Sequence, residues 1–477
     1  MKCLELWAVG PELALGLMCL LLVPLAGFVS GKWRSLPSIV AGFGLVAALI
    51  LTARMLPWPG QAVFCGTYAV DGFGTVFKGL IIGSALLALL PVAAYFRGRD
   101  AEPHAPVALT FATLGGVGLA GSLDLGLIVL FLQMLSTASY LLVGMTRGGK
   151  RSNEATLKYF IYGAVALAVM AYGLTFLYGL TGSLSLTEIG AALTGADPVW
   201  VWVALSLVLV GYAFEITAVP FQFWAPDVYA GASAPVTGFI SVLPKIAGFA
   251  GLLRLLLTAF PGGLAGWPTL IAGLAAATMA LGNLAALRQT RLKRLLAYSS
   301  IAQAGYVLMA VAVAGTVAGA LAAAGYYLVA YTFMNLAAFT VVAQLERVSG
   351  QDALTDLRGL SRTAPGPAAL LTLALLSLAG IPPLAGFLGK VLLLQVALAG
   401  GLTWLAVFAA LNMVIGLYYY LRPVVEMYLR APEAGIKLHR QPGSPWALGL
   451  TTLGTLLLGL WPAPLLALLA NLSRLLR

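Results

Sequence analysis

The sequence predicts an all-α polytopic membrane protein, and three observations favour this fold class. Hydrophobic residues make up 61% of the 477 residues, charged residues make up only 9%, and mean hydropathy is +0.97. Soluble domains are nearer one half apolar and one quarter charged, so these values exclude a soluble enzyme, a disordered chain and a fibrous protein. The apolar segments are continuous rather than alternating, which argues against an outer-membrane barrel.

Fourteen apolar segments approach or exceed the ~20 residues that span a bilayer as a helix. Segments 199–230 and 366–400 are too long for one plain helix and contain internal prolines. The first segment lacks a small-residue cleavage site, so we expect a transmembrane helix there rather than a signal peptide. The predicted spans are 11–30, 36–56, 72–96, 105–121, 124–145, 155–182, 199–230, 235–259, 267–288, 292–314, 317–346, 366–400, 402–430 and 445–470.

Basic residues concentrate in the odd-numbered loops between these segments, beginning with Lys32 and Arg34 in the first loop. The positive-inside rule therefore predicts that the odd loops are cytoplasmic, and an even number of spans then places both termini in the periplasm. The net charge of +11 is interpreted as this topology signal rather than as a nucleic-acid-binding surface.

Two proline-containing breaks, at 219–226 and 380–387, interrupt the seventh and the twelfth segments. The breaks are five segments apart, and five is odd, so duplicated halves would have inverted orientations. Paired interrupted helices in inverted repeats mark the ion path in many transporters. Ordinary proline kinks, which are common in membrane helices, are the simpler alternative.

Four ionisable residues lie where the sequence predicts bilayer depth. Lys245 lies mid-way along the eighth segment, Lys390 follows the second break, and Glu215 precedes the first break. Lys158 lies one turn after Glu154, so a helix-end ion pair is an equally good interpretation for it. A charge at this depth costs ~2.5–3.5 kcal/mol on insertion scales. A series of lysines beside broken helices therefore favours proton transfer along titratable groups and water.

Other chemistries have little support in the sequence. Cys3, Cys19 and Cys65 have no metal-ligand spacing and are odd in number, so we expect neither a zinc site nor a disulfide framework. His104 and His439 fall in predicted loops, which leaves no intramembrane histidine to ligate a haem. Walker A and Rossmann motifs are not found. We therefore expect no cofactor on this chain.

Several stretches together resemble a known family. They are EATLKYF at 154–160, VPFQFWAPDVY at 219–229, SVLPK at 241–245, GNL at 282–284, LKRLLAYSSI at 292–301 and SLAGIPP at 377–383. The resemblance is to subunit N of bacterial NADH-quinone oxidoreductase, an antiporter-like membrane subunit family of respiratory complex I. It extends over nearly the whole chain.

The resemblance implies one transmembrane domain over 1–477 with about fourteen helices and two inverted five-helix repeats. Three N-terminal helices would occupy 1–104, the repeats 105–259 and 267–430, and a last helix 445–477. It also implies a proton channel in the cell inner membrane that works with other membrane subunits. NADH, FMN, iron–sulfur clusters and quinone would be bound by those partner subunits.

The resemblance assigns proton relay to Lys158, Lys245 and Lys390, but this sequence departs from the family pattern nearby. Gln133 occupies a position that is usually glutamate, and Glu215 one that is usually lysine. Family histidines are replaced by Gln222 or Gln303.

We therefore hypothesise that Glu215 pairs with Lys158 on the uptake side, with Lys245 as the central relay and Lys390 as the release-side relay. Two alternatives stay open. One is a subunit of a related cation/proton antiporter or membrane-bound hydrogenase complex, and the other is a non-pumping structural subunit.

Overall fold

A computed structural model of the chain describes residues 6–56, 60–146, 150–260, 266–349, 352–432 and 444–470. Cys3 and His439, which were considered from the sequence, lie outside these ranges. The described chain is almost entirely helical. Its first half comprises α1 (Gly10–Phe28), α2 (Leu36–Met55), α3 (Gly72–Phe96), α4 (Ala105–Gly121), α5 (Leu125–Gly144), α6 (Lys150–Thr181), α7 (Leu186–Ala192), α8 (Pro198–Glu215), α9 (Trp224–Gly231) and α10 (Ala234–Ala259).

The second half begins after residue 265 and continues the same pattern. It comprises α11 (Trp267–Leu287), α12 (Leu292–Ala312), α13 (Ala320–Ser349), α14 (Leu360–Thr363), α15 (Pro365–Ala379), α16 (Ala385–Ala399), α17 (Thr403–Leu429), α18 (Ser444–Leu460) and α19 (Ala463–Leu469). Short 3₁₀ helices cover Leu6–Val9, Gly31–Trp33, Leu193–Gly195 and Leu354–Leu357. Two antiparallel strands, β1 (Gln61–Val63) and β2 (Tyr68–Val70), form a hairpin before α3.

Aspartates fix the first residues of three helices. Asp71, Asp124 and Asp197 precede α3, α5 and α8, and each carboxylate accepts a backbone N–H from the first turn. Such N-caps satisfy donors that have no partner within the helix. The aspartates in these predicted outer loops therefore have a local structural role.

Eleven helices in the described ranges are long and apolar enough to cross a membrane, or up to twelve if the bent pair α18 and α19 is one span. All fourteen predicted segments contain at least one helix. Three of them contain only helices shorter than a plain span, namely α4 in one, α15 with α16 in another, and the bent pair α18 and α19 in the last.

Both predicted breaks are present. Helix α8 ends at Glu215 and α9 starts at Trp224, whereas α15 ends at Ala379 and α16 starts at Ala385. Gly380 adopts a left-handed conformation with φ of 90°, which closes the end of α15 and which glycine tolerates without steric cost. The breaks leave helix-terminal carbonyl groups available inside the protein.

Helices α10, α12 and α13 form the centre of the molecule. In their most apolar windows, 94%, 94% and 89% of the residues are buried inside the protein. Large apolar side chains on α1, α2 and α17 point outward instead, including Leu20, Phe43 and Val414. A membrane protein buries polar groups centrally because lipid cannot satisfy them, so these three helices are where a polar path belongs.

Candidate functional site

Lys245 lies in a buried polar cluster on α10. Its Nζ donates to Ser300 Oγ at 2.6 Å and also to the Ser300 carbonyl. The same Oγ accepts from Tyr331 at 2.9 Å and lies 3.2 Å from the Tyr229 hydroxyl. The Tyr331 ring is 5.7 Å from Nζ, close enough for a cation–π contact. Neutral hydroxyl and carbonyl groups therefore hold this lysine in the middle of the protein.

A series of hydrogen bonds leads from Ser299, the residue before Ser300, to Lys390. The Ser299 hydroxyl bonds to the Tyr420 hydroxyl, which accepts from Gln303 Nε2 at 2.9 Å. Gln303 Nε2 also donates to the Leu378 carbonyl at 3.2 Å. That carbonyl accepts from Lys390 Nζ at 2.8 Å. Because Ser299 and Ser300 are adjacent on α12, polar groups run almost without interruption from Lys245 to Lys390.

Lys390 is held by the broken twelfth segment. Its Nζ donates to the carbonyls of Leu378 and Ala379, at 2.8 and 3.0 Å. These are among the last carbonyls of α15, and the negative end of the helix dipole favours a cation there. The Tyr306 ring lies 5.0 Å from Nζ. The break thus creates the binding site for the amine.

An amide and tyrosine network closes this site from the side of α17. Asn283 Nδ2 donates to Asn412 Oδ1 at 3.1 Å and to the Tyr306 hydroxyl at 3.3 Å. Asn283 Oδ1 accepts from Tyr419 at 3.0 Å. The network joins α11, α12 and α17 around the lysine. It also satisfies polar groups that would otherwise be costly to bury.

Glu215 is the last residue of α8 and only 2% of it is exposed. Its Oε2 accepts from the Ser136 hydroxyl at 3.0 Å, whereas Oε1 is buried without a hydrogen-bond partner among the described residues. Tyr140 and Tyr159 lie within electrostatic reach of Glu215. Their rings pack edge-on against each other, and Tyr159 also makes a tilted contact with Phe214. Glu215 is therefore an enclosed carboxyl group with one oxygen still able to bond.

Lys158 has two other carboxylates as partners. Its Nζ lies 2.6 Å from Asp227 Oδ2 and 2.7 Å from Glu154 Oε1. Asp227 Oδ1 in turn bonds to Arg294. The side chain of Lys158 is 35% exposed. A polar pocket of about 150 Å³ opens beside these groups and is lined by Arg151, Glu154, Lys158, Asp227, Arg291 and Arg294.

The structure joins two of the four residues selected from the sequence and separates the other two. Lys245 and Lys390 belong to one buried series of polar groups. Lys158 and Glu215, however, have different partners, so the expected direct pair between them is not formed. The physical reason is that α9, the helix after the first break, packs against α6 and places Asp227 beside Lys158.

Sequence reasoning missed the neutral partners of the lysines and the role of Asp227. Tyr420, Tyr331 and Ser300 give no charge signal in an apolar sequence, although tyrosines are frequent in the segments that form the centre. The motif at 219–229 did contain Asp227, and the motif at 292–301 contained Arg294. Treating charged motif residues as possible partners of Lys158 would have found the contact.

A second charged network lies near the starts of α1 and α3 and the end of α10. Arg254 forms two 2.8 Å bonds with Asp71 and donates from Nε to the Ala120 carbonyl. Burial alone would raise the pKa of Asp71, but the Arg254 guanidinium outweighs it and holds that pKa below its ordinary value. Lys78 on α3 is also buried, with Nζ 2.6 Å from Glu12 Oε1.

Two of the three cysteines, Cys19 and Cys65, lie in the described ranges. Cys65 is disulfide-bonded, so the odd count of cysteines includes a bonded pair, although one bond is not the disulfide framework considered from the sequence. Cys19 is a buried free thiol. In the described ranges, no group of three His, Cys, Asp or Glu side chains could hold a metal ion. Arg422 bonds to backbone carbonyls and Glu426 to Arg358, rather than to each other.

Comparison with known proteins identifies the family. A family model described as "NADH:quinone oxidoreductase/Mrp antiporter, TM" matches residues 122–416, more than half of the chain. The chain belongs to this family. Within the family, it is 41% identical over 461 residues to NADH-quinone oxidoreductase subunit N 1 of Solibacter usitatus, which covers 95% of this chain and 94% of that protein.

Two further relatives of the family agree. The chain is 40% identical over 444 residues to NAD(P)H-quinone oxidoreductase subunit 2 of a Synechococcus species, covering 92% of this chain and 84% of the relative. A chain of respiratory complex I from Thermus thermophilus with bound aureothin superposes with a TM-score of 0.83 at 34% identity, covering 96% and 99%. The resemblance predicted from the motifs is therefore confirmed.

The glutamines at which this sequence departs from the family pattern have different surroundings. Gln133 is partly exposed and donates to Thr137 at 3.0 Å, one turn before the serine that bonds Glu215. Gln222 is buried, and its Oε1 has no hydrogen-bond partner among the described residues. Gln303 occupies the centre of the polar series between the two buried lysines. An amide there can donate and accept at once, as a histidine would, but it cannot titrate.

Proposed function

We propose that this chain is the proton-translocating, antiporter-like subunit N of a complex I-type NADH-quinone oxidoreductase. The observation that carries the proposal is the buried series of hydrogen bonds between Lys245 and Lys390, in a protein that is otherwise apolar at this depth. A lysine can release and regain a proton, and hydroxyl or amide groups with water can carry it between lysines. The relatives' names support the assignment to this complex.

The uptake side of the path begins at the polar pocket around Lys158 and Asp227. This pocket is reachable by solvent, and its basic residues belong to loops that the positive-inside rule assigns to the cytoplasm. Glu215 would follow as a buried carboxyl group, then Lys245, and Lys390 would act on the release side. In this scheme Lys158 and Glu215 are successive groups with Asp227 as counter-ion, in place of the expected ion pair.

The same proposal includes the finer architecture. It assigns fourteen spans in one transmembrane domain, with repeats over 105–259 and 267–430 that each contain one break, N-terminal helices in 1–104 and a last helix in 445–477. The chain would lie in the cell inner membrane, with both termini in the periplasm. The disulfide at Cys65, in the hairpin before α3, supports an outer position for that loop because disulfides persist in oxidising compartments.

Redox chemistry would take place in partner subunits. NADH, FMN, iron–sulfur clusters and quinone are assigned to those partners, and this chain contributes the ion path and contacts with neighbouring membrane subunits. The outward-facing apolar surfaces of α1, α2 and α17 are suited to lipid or to such neighbours.

The proposal is tested with Lys245→Ala and Lys390→Ala chains assembled with their partner subunits in membrane vesicles. NADH-driven proton uptake per electron transferred is measured, with Lys32→Ala, in an exposed loop, as the matched control. We expect a loss of pumping in both buried-lysine variants at equal abundance of the assembled complex. Full pumping in both would favour a structural role, for which the replacement of the family lysine by Glu215 is the observation in support.

A further inference from the structure

The hydrogen atoms around Ser300 can be assigned by counting. A hydroxyl oxygen accepts at most two hydrogen bonds and donates one. Lys245 Nζ donates to Ser300 Oγ at 2.6 Å, and the Tyr331 hydroxyl donates at 2.9 Å, which fills both lone pairs. The remaining contact of Oγ, to the Tyr229 hydroxyl at 3.2 Å, must then use the serine's own hydrogen. Ser300 therefore donates to Tyr229 when Lys245 is protonated.

The direction of the Tyr229 hydroxyl hydrogen follows from this assignment. Since the tyrosine oxygen accepts from Ser300, its own hydrogen points away from Lys245. Tyr229 is fully buried, and its ring makes an edge contact with Trp224 at 6.1 Å. Trp224 stacks on Tyr159 at 4.3 Å. The Tyr229 ring thus belongs to the same aromatic cluster as Tyr159, whose hydroxyl lies within electrostatic reach of Glu215.

On the other side of this cluster, hydroxyl groups lead to the carboxyl group of Glu215. The Tyr140 ring packs edge-on against Tyr159 at 4.6 Å, and its hydroxyl interacts with Ser136. Ser136 donates to Glu215 Oε2, while Glu215 Oε1 is buried without a partner among the described residues. Buried oxygen atoms of this kind are usually satisfied by water, which would complete the connection.

We propose that the Tyr229 hydroxyl is the proton-transfer group through which Lys245 is protonated from the Glu215 side. This inference rests on the proposed function. In the transfer, a proton leaves the Glu215 carboxyl group and reaches Tyr229 through water, Tyr229 passes its own hydrogen to Ser300, and Ser300 passes its own to the neutral Lys245 amine. Each hydroxyl loses one O–H bond and forms another, so the net change is one proton from Glu215 to Lys245.

The observed arrangement matches the end of that transfer. Lys245 donates to Ser300, Ser300 donates to Tyr229, and the Tyr229 hydrogen faces away from Ser300. Before the transfer both hydrogen bonds would run in the opposite direction, and the Tyr229 hydrogen would face Ser300. Phenylalanine at position 229 keeps the ring contacts but removes both the donor and the acceptor, so it interrupts the series without opening a cavity.

The experiment compares Tyr229→Phe with Tyr212→Phe in the assembled complex. Tyr212 is a fully buried tyrosine on α8 whose hydroxyl has no hydrogen-bond partner among the described residues, which makes it a matched control. Removing a positioned proton-transfer group should lower proton transfer through the subunit on the order of tenfold or more. The rate in D₂O relative to H₂O should also change for Tyr229→Phe alone, because a purely structural defect would not alter it.

Parallel variants separate the possible outcomes. Ser300→Ala should reproduce the Tyr229→Phe defect, and it serves as the second test if Tyr229→Phe assembles poorly. If Lys245→Ala abolishes pumping while Tyr229→Phe and Ser300→Ala behave like Tyr212→Phe, this inference is overturned and the proposed function stands. If Lys245→Ala pumps normally, the proposed function fails, and this inference fails with it.

Discussion

At the scale of single residues, Gln303 makes three hydrogen bonds at the centre of the polar series. It donates to Tyr420 and Leu378 and accepts from Tyr327. We expect Gln303→Leu to reduce pumping and to destabilise the protein by ~1–3 kcal/mol, because buried partners lose their hydrogen bonds. Gln303→His, the residue implied by the family resemblance, should retain pumping. Proton uptake by vesicles and thermal unfolding in detergent check both, and equal pumping by the leucine variant would contradict the prediction.

The charged residues were predictable because a buried lysine or glutamate is costly and therefore conspicuous. Lys245 and Lys390 were selected on that ground, and the structure places both in polar surroundings. Their partners were not predictable, since serine, tyrosine and backbone carbonyls carry no such signal. The partner of Lys158 was not predicted because Asp227 is 69 residues away in the sequence, and only the packing of α9 against α6 brings it close.

At the scale of structural elements, the second break depends on Gly386. A Cβ atom at this position would lie 1.8 Å from the Ser377 carbonyl oxygen, a backbone atom that cannot move aside cheaply. Gly386→Ala should therefore shift α16 relative to α15 and destabilise the protein by at least ~1–3 kcal/mol. Gly273→Ala, also within a helix but with nothing near its Cβ, is the control. Thermal unfolding that does not differ between the two variants would refute this account.

The salt bridge between Asp71 and Arg254 ties the start of α3 to α10. Asp71→Asn should cost ~3–5 kcal/mol, since it leaves the buried guanidinium without its counter-ion. Asp124→Asn, at a partly exposed N-cap, should cost little, because an asparagine side chain can still cap the helix. Melting temperatures of the purified variants measure both. Equal losses would show that Asp71 acts only as a cap.

The same pair predicts a pH dependence. The folded-state pKa of Asp71 is lowered, so its contribution to stability is complete above the ordinary carboxyl range, about pH 4. That contribution is lost as the pH falls through the lower folded-state pKa. In a pH series of melting temperatures, the difference between the unaltered chain and Asp71→Asn should therefore be constant near neutrality and shrink only below about pH 4.

The breaks themselves were predictable from proline and glycine, and the helices that flank them begin and end close to the expected residues. The sequence did not show which side chains the breaks would bring together. Sequence alone does not show that the last carbonyls of α15 turn toward Lys390, because that depends on how α16 folds back. The short helix α9 likewise gave no indication that it would bring Asp227 to α6.

At the scale of the whole molecule, noncovalent contacts between loops assign those loops to two opposite faces of the protein. Odd loops are joined to one another or to the adjoining helix end by Arg34–Asp100, Arg291–Asp352 and Arg358–Glu426. On the opposite face, contacts join Asp71 with Arg254, Tyr68 with Ser122, and Asp124 with Ser185. This grouping agrees with the alternation of basic loops in the sequence, so the topology was largely predictable.

A labelling experiment can determine which of the two faces is cytoplasmic. Arg288→Cys and Thr194→Cys place a thiol at exposed positions on opposite faces. A membrane-impermeant maleimide added to intact spheroplasts should label Thr194→Cys and not Arg288→Cys, because basic loops are retained in the cytoplasm. Inside-out vesicles should give the reverse pattern. Labelling of Arg288→Cys from outside would invert the proposed orientation.

The way the two central lysines are held has a consequence for how many protons the path can store. Both amines are bonded to neutral groups, with no carboxylate among their described partners, so nothing nearby cancels a second positive charge. Two ammonium ions in a medium of low dielectric constant repel each other strongly. Loading one lysine therefore discourages loading of the other, and the interior should carry a single extra proton at a time, advancing only as the previous one departs.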